Sequence, residues 1–373
     1  MSPRSRAAAV TLVALAVLAA GCAGDPQQAA APPDETSPTS PSSPTSATST
    51  APVRPGAWVD GLPVGPPPEI GYVIGNTYHS PEGRMVRVLR DHGVTSIARL
   101  GDGFLVTSDQ IFEGSTGVYV LDDRGRVDTS AGQPGHVPGA ATVSGYPVLS
   151  ADGATLHWLT FTPPESGLDL PTLLHTGDVD TGDVTTVRLD LAPSFLTEVT
   201  GVIDQRAILQ TGWGGRGETW VSDGAAGLTR TPVLDRASMV SARARLVVAA
   251  LGDVGIKVLD FDTRKVLWRQ PHSYAMAFSP SGRQLLVGTR RRMSVVNARS
   301  GEVRHDVAPP PYRQKQWYAE QLAWEDERHL LASIELEHRA AVVRIDVRTS
   351  EVELAVDWTP TDGPFAVAFE TRP

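Results

Sequence analysis

Apolar and polar residues alternate in short runs along most of this chain, and the runs come in pairs joined by tight polar turns. Three stretches show it best: YAMAFSPSGRQLLVGT from Tyr274, YPVLSADGATLHWLT from Tyr146 and LAWEDERHLLASI from Leu322. An alternating strand, a polar turn and a second apolar strand make a β-hairpin. Weaker copies begin near Thr95, Glu198 and Ser238. A second hairpin follows each: GVYVLDDRGRV, GDVDTGDVTTVRL, TWVSDGAAGLTRTPV, IKVLDFDTRKVLW, MSVVNARSGEV and VVRIDVRTSEVEL. An Asp or Asn tends to close the first strand of this second hairpin, because its side chain bonds backbone groups in the turn that follows. Two hairpins make a four-stranded antiparallel unit, and six units about 45 residues apart match the spacing of propeller blades.

Two pieces remain at the ends. EIGYVIGNTYHSPEGRMVRVL predicts three strands: one through Tyr72 to Ile74, a second through Tyr78 and a third from Met85 to Leu89. Near the last residue, FAVAF alternates like a strand and has no sheet of its own. Three strands and one strand complete a seventh blade and close the ring, which removes two open edges. The fold expected is all-β: a single propeller of seven four-stranded blades, shut by the C-terminal strand joining the N-terminal strands.

Composition supports this class. With 373 residues the chain can bury a large core, and 35 Gly and 30 Pro spread along it suit many short strands and turns. The net charge of −9, without a sustained basic stripe, argues against nucleic acid as a partner.

The first 22 residues carry a different message. Arg4 and Arg6 form a basic start, and the apolar run Ala7 to Ala20 is shorter than the roughly 20 residues a spanning helix needs. Such a run reads as a secretory leader. The stretch LAAGC resembles the lipobox of bacterial lipoproteins, with Ala19 where Leu is commonest. That resemblance implies cleavage before Cys22, lipidation of its thiol, and an anchor on the outer face of the cytoplasmic membrane. Cys22 is the one cysteine, so a disulfide framework and a cysteine zinc cluster are excluded. Residues 1–21 are then a lipoprotein signal peptide, 22–57 a Pro/Ser/Thr-rich tether expected to stay disordered, and 58–373 the propeller.

The motifs FSPSGRQLLVG and LSADGATLHWL resemble the WD-repeat and TolB-like propeller families over about residues 70 to 373, although WD dipeptides are absent. The whole resembles actinobacterial-type propeller lipoproteins. Chemistry is harder to find. The chain has no G-x-S-x-G elbow, no H-E-x-x-H and no phosphate loop. Its nine histidines are scattered and read as surface or satisfied buried groups. SADGATLHW approaches the Asp box of sialidase-type propellers but occurs once, so Asp152 reads as a turn former. Trp268 in VLDFDTRKVLWR, similar to the repeat of quinoprotein-like propellers, reads as packing. No motif calls for a metal or cofactor.

Loop lengths point to one face. The turns within hairpins are short, while the connections on the other side are longer and hold aromatic and Arg residues of the kind that dominate binding hot spots. Trp213, Arg216, Arg291, Tyr312, Arg313, Trp317 and Tyr318 are the candidate ligand contacts. The leading expectation is a membrane-anchored, extracytoplasmic propeller binding a protein or cell-envelope ligand without catalysis. The alternatives are a hydrolase or lyase with a site in the central channel, and an accessory or assembly factor of a membrane complex.

Overall fold

The computed structural model describes residues 59–89, 93–110, 115–127, 146–160, 171–191, 197–211, 217–222, 227–234, 236–251, 255–289, 292–307, 321–336, 338–361 and 367–372. The chain divides into two units, Met1–Pro52 and Val53–Pro373, and every described residue belongs to the second.

Seven antiparallel sheets follow one another along the chain. Blade 1 holds β1 (Tyr72–Ile74), β2 (Thr77–His79) and β3 (Met85–Arg87); blade 2 holds β4 (Gly93–Leu100), β5 (Gly103–Gln110) and β6 (Ser115–Leu121). Blade 3 is β7 (Val148–Leu149), β8 (Thr155–Thr160), β9 (Thr172–Asp178) and β10 (Val184–Leu189). Blade 4 is β11 (Thr197–Ile203), β12 (Arg206–Thr211), β13 (Glu218–Ser222) and β14 (Leu228–Arg230). Blade 5 is β15 (Ala237–Ser241), β16 (Leu246–Ala250), β17 (Gly255–Asp260) and β18 (Val266–Pro271). Blade 6 is β19 (Tyr274–Phe278), β20 (Gln284–Gly288), β21 (Met293–Asn297) and β22 (Val303–Val307), and blade 7 is β23 (Leu322–Trp324), β24 (His329–Leu336), β25 (Arg339–Asp346) and β26 (Val352–Pro360). The last strand, β27 (Val367–Phe369), returns to blade 1.

That return closes the ring as the sequence predicts. β27 pairs antiparallel with β1 in the register Tyr72 with Phe369, Val73 with Ala368 and Ile74 with Val367, giving the order β27-β1-β2-β3. Blade 2 has three strands and then a single bridge, Leu121 to Val127, where a fourth strand would start; residues 128–145 lie outside the described residues.

Burial explains the two kinds of strand in the sequence. In blade 6, the second strand QLLVG is buried throughout, while the inner strand YAMAF is half-open to the channel and the outer strand VRHDV mostly exposed. A strand covered on both faces by neighbouring blades reads as a continuous apolar run, whereas a strand with one wet face alternates. Seven apolar clusters result, one at each interface between successive blades, including blade 7 against blade 1. Burial of apolar area at all seven is the main stabilising term.

The turns behave as their sequences dictate. Asp122, Asp178, Asp260, Asn297 and Asp346 each accept backbone N–H bonds from two or more residues on, at 2.8 to 3.3 Å. Asp152 likewise takes the Ser150 hydroxyl at 2.6 Å and the Ala154 N–H at 3.1 Å, a turn and nothing more. At Gly75-Asn76 both residues adopt φ of 53° and 62°, the left-handed pair that a two-residue hairpin requires.

One element has no signature in the alternation. Residues 59–69, rich in Pro, hook around the outer edge of blade 7. Val59 is buried in the core between blades 6 and 7, Val64 bridges Leu354 on β26, and Glu69 reaches the first turn of the blade. A buried ion pair holds the hook. Arg344 donates to Glu325 at 2.5 and 2.9 Å, to Glu353 at 2.5 Å, and to the carbonyls of Pro66 and Pro67 at 3.0 and 3.1 Å. Glu325 also accepts the Glu69 N–H at 2.6 Å, while Arg372 donates to the carbonyls of Glu325 and Glu69. The start of the propeller and the residue after its closing strand thus meet at one polar node.

Candidate functional site

The innermost strands run side by side around the channel, all in one direction, so the channel has two unlike ends. The first and third turns of each blade form the turn face; the other connections form the loop face. At the turn-face end a cavity of about 320 Å³ opens among Val202, Val240, Phe278, Ala323, Phe369 and their neighbours. Its walls are mainly apolar, and its polar rim is Arg243, Gln321, Glu370, Thr371 and Arg372.

Each rim side chain that carries a charge is engaged. Glu370 accepts the Tyr78 hydroxyl at 2.6 Å and lies 3.7 Å from the Arg99 guanidinium, which stacks over the Tyr78 and Phe104 rings at 5.2 and 4.9 Å. Burial, then the Glu370 hydrogen bond, pushes the Tyr78 phenol upward, so it acts as a fixed donor. Arg243 donates to the Pro280 carbonyl at 3.2 Å, and Gln321 to the Thr95 carbonyl at 3.3 Å. These groups can hydrogen-bond a ligand segment inserted at the channel mouth. Among the described residues no three His, Cys, Asp or Glu gather within reach of one metal ion.

Titratable groups with altered environments lie elsewhere. Glu198, on β11 across from Gln210 of β12, is pushed upward by burial. His157 and His175 are buried in blade 3, 4% and 1% exposed. The ring nitrogens of His175 sit 2.8 and 2.9 Å from the Thr160 and Thr186 hydroxyls, and its ring stacks on Trp158. Those of His157 meet Thr155 and Thr176 at 3.1 and 3.2 Å. Desolvation by burial brings both imidazoles down to about 4.

A pH dependence follows from this. In the unfolded chain a histidine titrates at 6.5, so as pH falls below that value the unfolded state takes up protons that the fold refuses. Stability that is full above pH 6.5 drains away between 6.5 and 4, by about 3 kcal/mol for each histidine. Urea midpoints measured from pH 7 to 4 should show that His175→Gln flattens this decline; an unchanged profile would place the acid sensitivity elsewhere.

Cys22, Trp213, Arg216, Arg291, Tyr312, Arg313, Trp317 and Tyr318 lie outside the described residues. The cavity at the channel mouth lies where sequence reasoning named no residue. Rim residues such as Gln321 and Arg372 look ordinary in sequence because each sits at the end of a strand or chain, and only ring closure brings them together.

Fold and channel together define the class: a closed seven-bladed β-propeller. No family model and no curated protein matches the chain. Solved structures to which it is similar include TolB from Acinetobacter baumannii, at 13% identity and a TM-score of 0.43 over 85% of this chain and 70% of that one. Another is a putative TolB from Agrobacterium tumefaciens, at 14% identity and a TM-score of 0.39 over 58% of this chain and 82% of that one.

Proposed function

We propose that this chain is an extracytoplasmic propeller, anchored by lipid on Cys22 through the 22–57 spacer, that binds a protein or cell-envelope ligand as a scaffold without catalysis. The observation that carries this reading is the closure of the ring by both ends of the chain, with apolar clusters at all seven interfaces. Closure makes a rigid platform, and rigid platforms present binding residues on the connections they support. Bonds between blades reinforce the turn face: Glu327 of blade 7 accepts from Ser279 and the Ser281 N–H of blade 6 at 2.9 and 2.6 Å. The ligand contacts in this reading are Trp213, Arg216, Arg291, Tyr312, Arg313, Trp317 and Tyr318, named from the sequence, and the channel supplies a recess. LAAGC and the Pro/Ser/Thr-rich stretch support the lipid anchor and the outer face of the cytoplasmic membrane as its location.

Crosslinking in intact cells, read by mass spectrometry, tests this. The full chain should capture a specific envelope partner that Arg313→Ala with Trp317→Ala loses. Equal capture by both, or none by either where a positive control succeeds, would contradict it.

A further inference from the structure

The chain is acidic, yet its cations are unevenly placed. Between Ala237 and Val307, the span of blades 5 and 6, twelve Lys and Arg stand against five Asp and Glu, while the chain as a whole carries −9. No run of basic residues announces this, because the fold gathers them from separate turns.

On the turn face some are spent on structure. Arg245 spans Asp204 and Asp262 at 2.8 and 2.5 Å, and Arg299 binds Asp260 at 3.0 Å and the Ala244 carbonyl at 2.9 Å. Others are not. Among the described residues, Arg264, Lys265 and Arg283 have no carboxylate within ion-pair distance, and Arg264 rests its guanidinium 5.4 Å from the Phe261 ring. Two nearby acids, Glu302 and Asp306, have no cation within ion-pair distance among the described residues, and Asp306 instead accepts the Ser294 hydroxyl at 2.8 Å.

Exposed apolar side chains sit beside these cations. Val266 and Leu267 follow Lys265 directly on the outer strand β18 and are 37% and 38% exposed; Val303 opens β22 and is 54% exposed. β18 packs against the turn that precedes β22: the Trp268 indole N–H reaches the Ala298 carbonyl at 2.8 Å, and its ring lies against Gly301. The Ala298 N–H in turn bonds the Arg283 carbonyl. Apolar side chains and unpaired cations thus share one rim.

We propose that this rim of blades 5 and 6 is a membrane-docking edge, which lays the propeller against a bilayer of anionic lipid. The cations meet the headgroups, and Val266, Leu267 and Val303 enter the interface, where binding grows with buried apolar area and with charge. A soluble polyanion would use the cations alone. The inference rests on this surface and not on the lipid at Cys22.

The test uses the chain from residue 22, which keeps every described element, with Cys22→Ser to remove acylation. Sedimentation with vesicles of phosphatidylglycerol and phosphatidylcholine should show binding that weakens in high salt, and vesicles of phosphatidylcholine alone should bind poorly. Arg264→Glu with Lys265→Glu and Arg283→Glu should weaken binding on the order of 100-fold, since each cation at an anionic surface contributes roughly fivefold. Leu267→Ser with Val303→Ser should weaken it several-fold; melting curves check that both variants fold. Equal binding to both vesicle types, no binding at all, or full binding by the triple variant overturns the proposal. So does full binding by the serine variant, which would assign the rim to a soluble anion.

Discussion

A chain lacking Phe365 to Pro373 will melt at least about 10 °C below the full one, or lose its cooperative transition. The deletion removes β27, whose Val367, Ala368 and Phe369 are 0%, 0% and 7% exposed and belong to the cores on both sides of blade 1. Burying a Val or Phe side chain contributes about 1.5–3 kcal/mol, so these two alone account for roughly 5 kcal/mol. A natural domain holds only about 5–15 kcal/mol in all, and one kcal/mol moves the midpoint of a large domain by about 2–4 °C. The loss also strands the Tyr78 hydroxyl, which donates to Glu370 at 2.6 Å in the intact ring, and frees the edge of β1 for association. Circular dichroism against temperature reads the effect. A truncated chain melting within about 2 °C of the full one would mean that closure lies elsewhere.

Nearly as large an effect is expected at the polar node on blade 7, where the start of the propeller meets the residue after its closing strand. The side chains of Arg344 and Glu325 are 6% and 2% exposed. Their hydrogen bond drives the guanidinium further toward its charged form, ahead of the opposing cost of burial. Replacing Arg344 by Met leaves a buried carboxylate without its partner, and breaking a buried pair from one side costs about 3–5 kcal/mol. It also frees the Pro66 and Pro67 carbonyls, loosening the hook. Adding Glu325→Gln to Arg344→Met removes the stranded charge and should recover part of the loss. Urea unfolding of the three chains separates the contributions. A double variant no more stable than Arg344→Met would show that the hook's hydrogen bonds, and not the charge, carry the node.

The parts of the fold legible in the sequence are those governed by local rules. Hairpins could be read because alternation and turn chemistry are properties of neighbouring residues, and Asp122, Asp260 and Asn297 do in their turns what their chemistry favours. The closing strand was legible for a different reason: FAVAF has no sheet of its own and the three N-terminal strands lack a fourth, in a chain otherwise made of complete pairs. The hook at 59–69 was not legible. Its Pro-rich stretch has no periodicity, and Glu69 meets Glu325, Pro66 meets Arg344, only because the chain has gone once around the ring. In blade 2, GVYVLDDRGRV turns back as its hairpin pattern predicts, with Val127 bridging Leu121. Of the site, Tyr78 and Glu370 could not be coupled from sequence, being joined across the closure. Basic charge escaped notice for the same reason: Arg264, Lys265 and Arg283 lie on turns of two blades, and only the packing of β18 against the turn before β22 brings those turns together.

The claim on which the rest depends is the register of the closing pair, and a crosslink reads it directly. In a full chain carrying Cys22→Ser, cysteines placed at Val73 and Ala368 face each other across β1 and β27, and oxidative refolding should join them, giving a species that migrates anomalously on a non-reducing gel and reverts on reduction. Pairing must fail when the second cysteine is moved to Val367, because a shift of one residue turns the side chain to the other face of the sheet. Efficient crosslinking at Val367 with none at Ala368, or at neither, would contradict a ring closed by the two ends of the chain.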